Sequence, residues 1–167
     1  MSSQEHLRSK QPANPLAGPY GHPFHAITIT IPIGAWTASF VFDVIGLFAE
    51  DPDVYAAGAR VLIIIGIVGA VLAAVLGLMD LTRLGKGTPA RTTAVTHALL
   101  NLGGLALWVV NLVIRLNDPD RIPIVGVVLS VVALAALGVS GWLGGKLSYR
   151  YGVRVADETT QLEGFRR

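Results

Sequence analysis

The sequence contains no cysteine, which removes disulfides, thiolate metal sites, iron–sulfur clusters and covalently attached haem from consideration. Any cofactor must be held by histidine, carboxylate or shape. Charge is also scarce: Asp, Glu, Lys and Arg make up 14% of the residues against 52% hydrophobic, and the mean hydropathy is +0.58. That balance belongs to a chain whose solvent is lipid. No nucleophile stands near a base in sequence, and there is no glycine-rich phosphate loop, zinc-protease pattern or paired set of catalytic carboxylates. An independent enzyme is therefore not expected. The net charge of +2 is not gathered into a basic domain, so a nucleic-acid partner is excluded as well.

What remains is long apolar runs. Residues 26–49, 57–81, 94–116 and 122–145 are each long enough to cross a hydrocarbon core of about 30 Å, which takes about 20 helical residues. Runs such as Val61-Leu-Ile-Ile-Ile65 and Val127-Val-Leu-Ser-Val-Val132 are continuously apolar and lack the in–out alternation of barrel strands. The expectation is an all-α integral membrane protein, a four-transmembrane-helix bundle occupying residues 22–147. Residues 1–21 are polar and proline-rich and read as a mobile tail; residues 148–167 read as a basic tail.

Basic residues mark the cytoplasmic side of such a chain. The N-terminal tail has Arg8 and Lys10, the middle loop Arg83, Lys86 and Arg91, and the C-terminal segment Lys146, Arg150, Arg154, Arg166 and Arg167. The two other loops carry Arg60, Arg115 and Arg121, diluted by Glu50, Asp51, Asp53, Asp118 and Asp120. Both termini and the middle loop are expected inside, with the protein in the cytoplasmic membrane.

At about 100° per residue, His25, Pro32, Trp36, Ser39 and Asp43 share one line on the first helix, and His97, Asn101, Gly104, Trp108, Asn111 and Arg115 share one on the third. The stripes match at an offset of 72: His25 with His97, Trp36 with Trp108, Ser39 with Asn111, Asp43 with Arg115. The other two helices contribute Gly66 with Gly138 and Gly69 with Gly141. This pattern predicts two pseudo-repeated helix pairs about an axis along the membrane normal, with both stripes facing inward. Asp43 and Arg115 then form a structural ion pair, because charge facing lipid costs about 3 kcal/mol or more. Gly69-x-x-x-Ala73-x-x-x-Gly77 and Gly141-x-x-x-Gly145 read as small-residue packing seams.

His22, His25, Asp80 and His97 all fall in the cytoplasmic leaflet and form the candidate site. One reading is a b-type haem with His25 and His97 as axial ligands, Gly103, Gly104 and Ala26 giving room, and propionates directed to the loop of Arg83, Lys86 and Arg91. A second is one Zn or Fe ion held by His22, His25, Asp80 and His97. The other readings are interfacial histidines that hold helix ends through Asp80 and loop backbone, and a proton-linked switch.

His22-Pro-x-His25, Pro32, Asp43, Gly77-Leu-x-Asp80, His97 with Asn101, and Leu147-x-Tyr-x-Tyr151-Gly-Val together resemble the bacterial membrane proteins catalogued as domain of unknown function 2231, over roughly residues 21–155. The resemblance implies a four-helix membrane protein, in some members associated with Rieske-type iron–sulfur proteins and hence with redox surroundings. Members carry a further histidine where this chain has Thr30, about 140° around the helix from His25. Two functions follow as expectations: a redox-associated haem-binding protein or subunit, and a non-catalytic accessory or assembly subunit of a larger respiratory membrane complex or homo-oligomer. A transporter is the weaker third, since no chain of internal charges marks a path.

Overall fold

The computed structural model describes residues 3–166. Its elements are α1 (Ser3–Lys10), α2 (Phe24–Thr28), α3 (Thr30–Gly46), α4 (Asp53–Leu81), α5 (Pro89–Asn117), α6 (Ile124–Gly145) and α7 (Glu158–Glu163), with a π-turn at Lys146–Arg150. Four stretches are long and apolar enough to cross a membrane: Phe24–Gly46, Asp53–Leu81, Pro89–Asn117 and Ile124–Arg150. The expected spans are thus found, with ends shifted by several residues where caps decide. Thr88 accepts from the amide of Arg91 and Pro89 occupies the first turn, so the third span starts five residues earlier than apolarity indicates. The first span is interrupted at Ile29, just before Pro32, whose missing amide is tolerated in the opening turn of α3.

Neighbours in sequence are neighbours in space: α3 packs along α4, α5 along α6, and α4·α5 and α3·α6 close the ring. The first and third spans face each other diagonally and meet through side chains. The indoles of Trp36 and Trp108 stack with centroids 5.0 Å apart and planes 10° from parallel. Both are buried, and Ile63 and Ala133 complete the mid-membrane core.

The pseudo-repeat is visible in hydrogen bonds, with a correction to its register. Ser39 Oγ donates to the carbonyl of Ala59, and Asn111 Nδ2 donates to that of Gly126; His25 Nδ1 meets the carbonyl of Ala73, and His97 Nδ1 that of Ser140. The first and third spans are related by 72 residues, the second and fourth by 67. Both connecting loops are six residues long, but Ser39 and Ala59 stand five residues farther apart in sequence than Asn111 and Gly126 because α4 starts earlier relative to its partner carbonyl than α6 does, so a single offset misaligned the glycines. Gly66 packs under Trp36, whereas Gly138 and Gly141 face open space. The seam Gly69, Ala73, Gly77 does pack on the first span, against Ile31, Pro32 and His25. Its counterpart holds Ser140 and Gly144 against His97; Gly141 takes no part.

The N-terminal segment, expected as a mobile tail, packs against the C-terminal one. Lys10 is buried, the carbonyl of Ser9 accepts from the amide of Arg154, and Arg154 Nη2 donates to the carbonyls of Ala17 and Gly18. Tyr20 donates to Asp157 at 3.0 Å, and its hydroxyl accepts from the Asp157 amide at 2.8 Å. The amide of Thr160 and the Tyr20 hydroxyl hold the Asp157 carboxyl below the usual carboxylate range. Arg154 adopts φ 59°, a left-handed conformation unfavourable without glycine, and its backbone and side-chain contacts hold it there. The two termini thus form one cap over the ends of the bundle.

Candidate functional site

Both central histidines lie on the inward line of their helices because His25 and His97 precede the stacked tryptophans by the same eleven residues. Three turns of helix put them about 16 Å along the axis from that stack. Their ring centroids are 6.2 Å apart with planes at 87°. Each ring lies against a glycine of the paired helix, since a Cβ at Gly77 would come within 3.0 Å of the His25 ring and one at Gly144 within 3.4 Å of His97.

The ring nitrogens are differentiated. His25 Nδ1 lies 2.8 Å from the carbonyl oxygen of Ala73, which can only accept, so Nδ1 carries the proton and Nε2 the lone pair. His97 Nδ1 is 2.8 Å from the carbonyl and 2.9 Å from the hydroxyl of Ser140, and Asn101 Nδ2 donates to Nε2 at 3.0 Å. A backbone acceptor that fixes the Nδ1–H tautomer and aims Nε2 is the usual second partner of a ligating imidazole.

The remaining expected site residues are not gathered here. Asp80 forms an ion pair with Arg154 at 3.1 Å, and His22 is exposed ahead of α2. Among the described residues no three of His, Asp and Glu converge to hold a metal ion. The four-ligand arrangement of His22, His25, Asp80 and His97 is therefore not assembled, because the terminal cap draws Asp80 away. Of the middle-loop cations, Arg91 Nη1 donates to the carbonyls of Leu81 and Leu84, capping α4, and Arg83 Nε donates to the carbonyl of Gln11, while Lys86 is exposed. Thr30 is exposed, its hydroxyl spent on the carbonyl of Ile27.

At the opposite end, Arg115 grips Asp43 through two parallel bonds of 2.7 Å, with exposures of 1% and 0%. Arg115 Nε donates to Asn111, which donates in turn to Gly126 and Ser130. The network is closed upon itself and fixes registry. Sequence reasoning missed Ser140 and Gly144, which position His97; only separate offsets for the two pairs of spans, 72 and 67 residues, would have revealed them as counterparts of Ala73 and Gly77.

No curated protein and no solved structure matches the chain. The family described as predicted membrane protein, domain of unknown function 2231, matches residues 21–157, which takes in all four spans and His25 and His97, and the chain belongs to that family.

Proposed function

We propose that this multi-pass membrane protein is redox-associated and that His25 and His97 are the axial ligands of one b-type haem. The observation that carries the reading is the pair of imidazoles facing across the pseudo-twofold axis, each with Nδ1 pinned to a carbonyl and its lone pair on Nε2, which on His97 accepts from Asn101. Metal–imidazole bonds of about 2.0–2.1 Å on opposite sides of one ion put ring centres roughly 6 Å apart, in keeping with the separation here. The bare glycines Gly77 and Gly144 beside the imidazoles, and open space at Gly104 on the same line of α5 as His97, favour a flat ring. Binding requires rotation of the Asn101 amide off Nε2 of His97. The Arg83 and Arg91 donors noted above are committed to backbone, so the propionates are not assigned to them.

A bound haem would supply one-electron transfer between a partner and the membrane. The chain's own groups set its basicity: the carbonyls of Ala73 and Ser140, accepting from Nδ1, raise the donor strength of both imidazoles. The excess of Lys and Arg at the terminal end supports a cytoplasmic position for the site.

The test is a reduced-minus-oxidised absorption spectrum of protein purified from haem-sufficient cells. An alpha band lost in both His25→Ala and His97→Ala, and kept in Asn101→Ala, is expected. A colourless, folded protein that takes up no added haem overturns the reading. A second reading, an accessory subunit of a larger complex, is favoured by Gly34, Gly103, Gly138 and Gly141, which open outward with nothing within 4 Å and would let a foreign helix approach closely. Affinity purification from gently solubilised membranes, returning a defined complex with no haem, favours that reading.

A further inference from the structure

We propose that the end of α6 holds an anionic phospholipid headgroup in a groove lined by Trp142, Gly145, Lys146, Tyr149 and Arg150. Position comes first. Trp142 follows Ile124 by eighteen residues, about 27 Å of helix, which brings it to the far edge of a hydrocarbon core of about 30 Å. Lys146 and Arg150 are one and two turns farther, in the headgroup layer. Trp142 is 69% and Tyr149 93% exposed, as for aromatic side chains at a membrane interface.

The charges there are held and unspent. Lys146 Nζ lies 5.8 Å from the Trp142 ring centroid and 5.6 Å from that of Tyr151, so two aromatic faces fix the ammonium at the groove wall. Among the described residues neither Lys146 nor Arg150 forms an ion pair, and the two acids nearest in sequence are engaged elsewhere, Asp157 with Tyr20 and Glu158 with Lys10. The π-turn that widens the helix at Lys146–Arg150 closes its backbone through Tyr151 to Lys146 and Gly152 to Ser148, leaving the side chains free to face the groove. An interfacial pair of cations without acidic partners, beside exposed aromatics that contact acyl chain, matches a phosphate with lipid attached.

Trp142 also makes the test selective, since Trp36 and Trp108, the other two tryptophans, are sealed in the core. The full chain is reconstituted in phosphatidylcholine vesicles containing about one lipid in ten as brominated phosphatidylglycerol, or as brominated phosphatidylcholine, and Trp142 fluorescence is read. Quenching about twofold stronger with the anionic lipid is expected, falling to the phosphatidylcholine level in Lys146→Gln and in Arg150→Gln. The Arg150 side chain is exposed, so its variant leaves the fold intact. Equal quenching by the two lipids, or unchanged preference in both variants, overturns the proposal. Release of the preference by millimolar glycerol phosphate also overturns it, assigning the groove to a soluble phosphate.

Discussion

Replacing Asp43 with Leu removes one half of a buried bidentate pair and leaves the Arg115 guanidinium with the Asn111 carbonyl oxygen as its remaining acceptor. Two routes to the magnitude agree. Breaking a buried pair by deleting one partner costs about 3–5 kcal/mol, and placing a lone arginine in a membrane-spanning helix costs about 2.5–3.5 kcal/mol on insertion scales. A loss of about 3–4 kcal/mol is thus expected, a large share of a typical total of about 5–15 kcal/mol. Replacing both residues, Asp43→Leu with Arg115→Met, removes the charge and its partner together, so most of the loss returns. The assay is unfolding by denaturing detergent in mixed micelles, followed by near-ultraviolet circular dichroism of the stacked Trp36 and Trp108. A single-variant cost below about 1 kcal/mol would mean that water reaches Arg115, and the closed-network reasoning fails. A double variant as damaged as the single would place the loss in packing rather than charge.

The register correction has its own test in Gly66→Ala and Gly138→Ala. A Cβ at Gly66 would clash with the Trp36 indole, while Gly138 has nothing within 4 Å; the first variant is expected to lose about 1–3 kcal/mol and the second less than about 0.5 kcal/mol. Equal effects would contradict the 67-residue relation. For orientation, cysteines placed at Asp53 and Lys86 should react with an impermeant thiol reagent from opposite sides of the membrane, Asp53 from outside. The reverse pattern would move the histidines to the outer leaflet.

The bundle was legible because its signals are periodic and its penalties large. Apolar length gave the four spans, and the cost of exposing Asp43, Arg115 and the histidines to lipid left the bundle interior as their place. Features set by contacts between distant segments were not legible. Arg154 reaching Ala17, Gly18 and Asp80 depends on three separate stretches folding to one point, and none carries a local pattern. The same cap displaced the metal-ligand expectation for Asp80, because a carboxylate at a helix end pairs with whichever cation the fold delivers. Gly138 misled in the opposite direction: a glycine in a span looks alike in sequence whether it faces a tryptophan or lipid.

The pseudo-twofold axis also bears on why the histidines stayed alike. Residues at equivalent positions near such an axis meet their own counterparts, so an undivided pair would set Asp against Asp or Arg against Arg at hydrogen-bonding distance, which like charges oppose. Asp43 and Arg115 are unlike, and Ser39 and Asn111 are unlike, each pair shaped to a structural need. Trp36 and Trp108 match because two indoles stack as well as any unlike pair. His25 and His97 match although neither donates to the other; each spends Nδ1 on its own helix pair. A merely structural contact at that level had the same freedom to become unlike that the ion pair used. Two imidazoles each anchored through Nδ1 to a carbonyl of the paired helix are what a haem shared between the halves would need, and we rest the proposed haem on this symmetry more than on proximity alone.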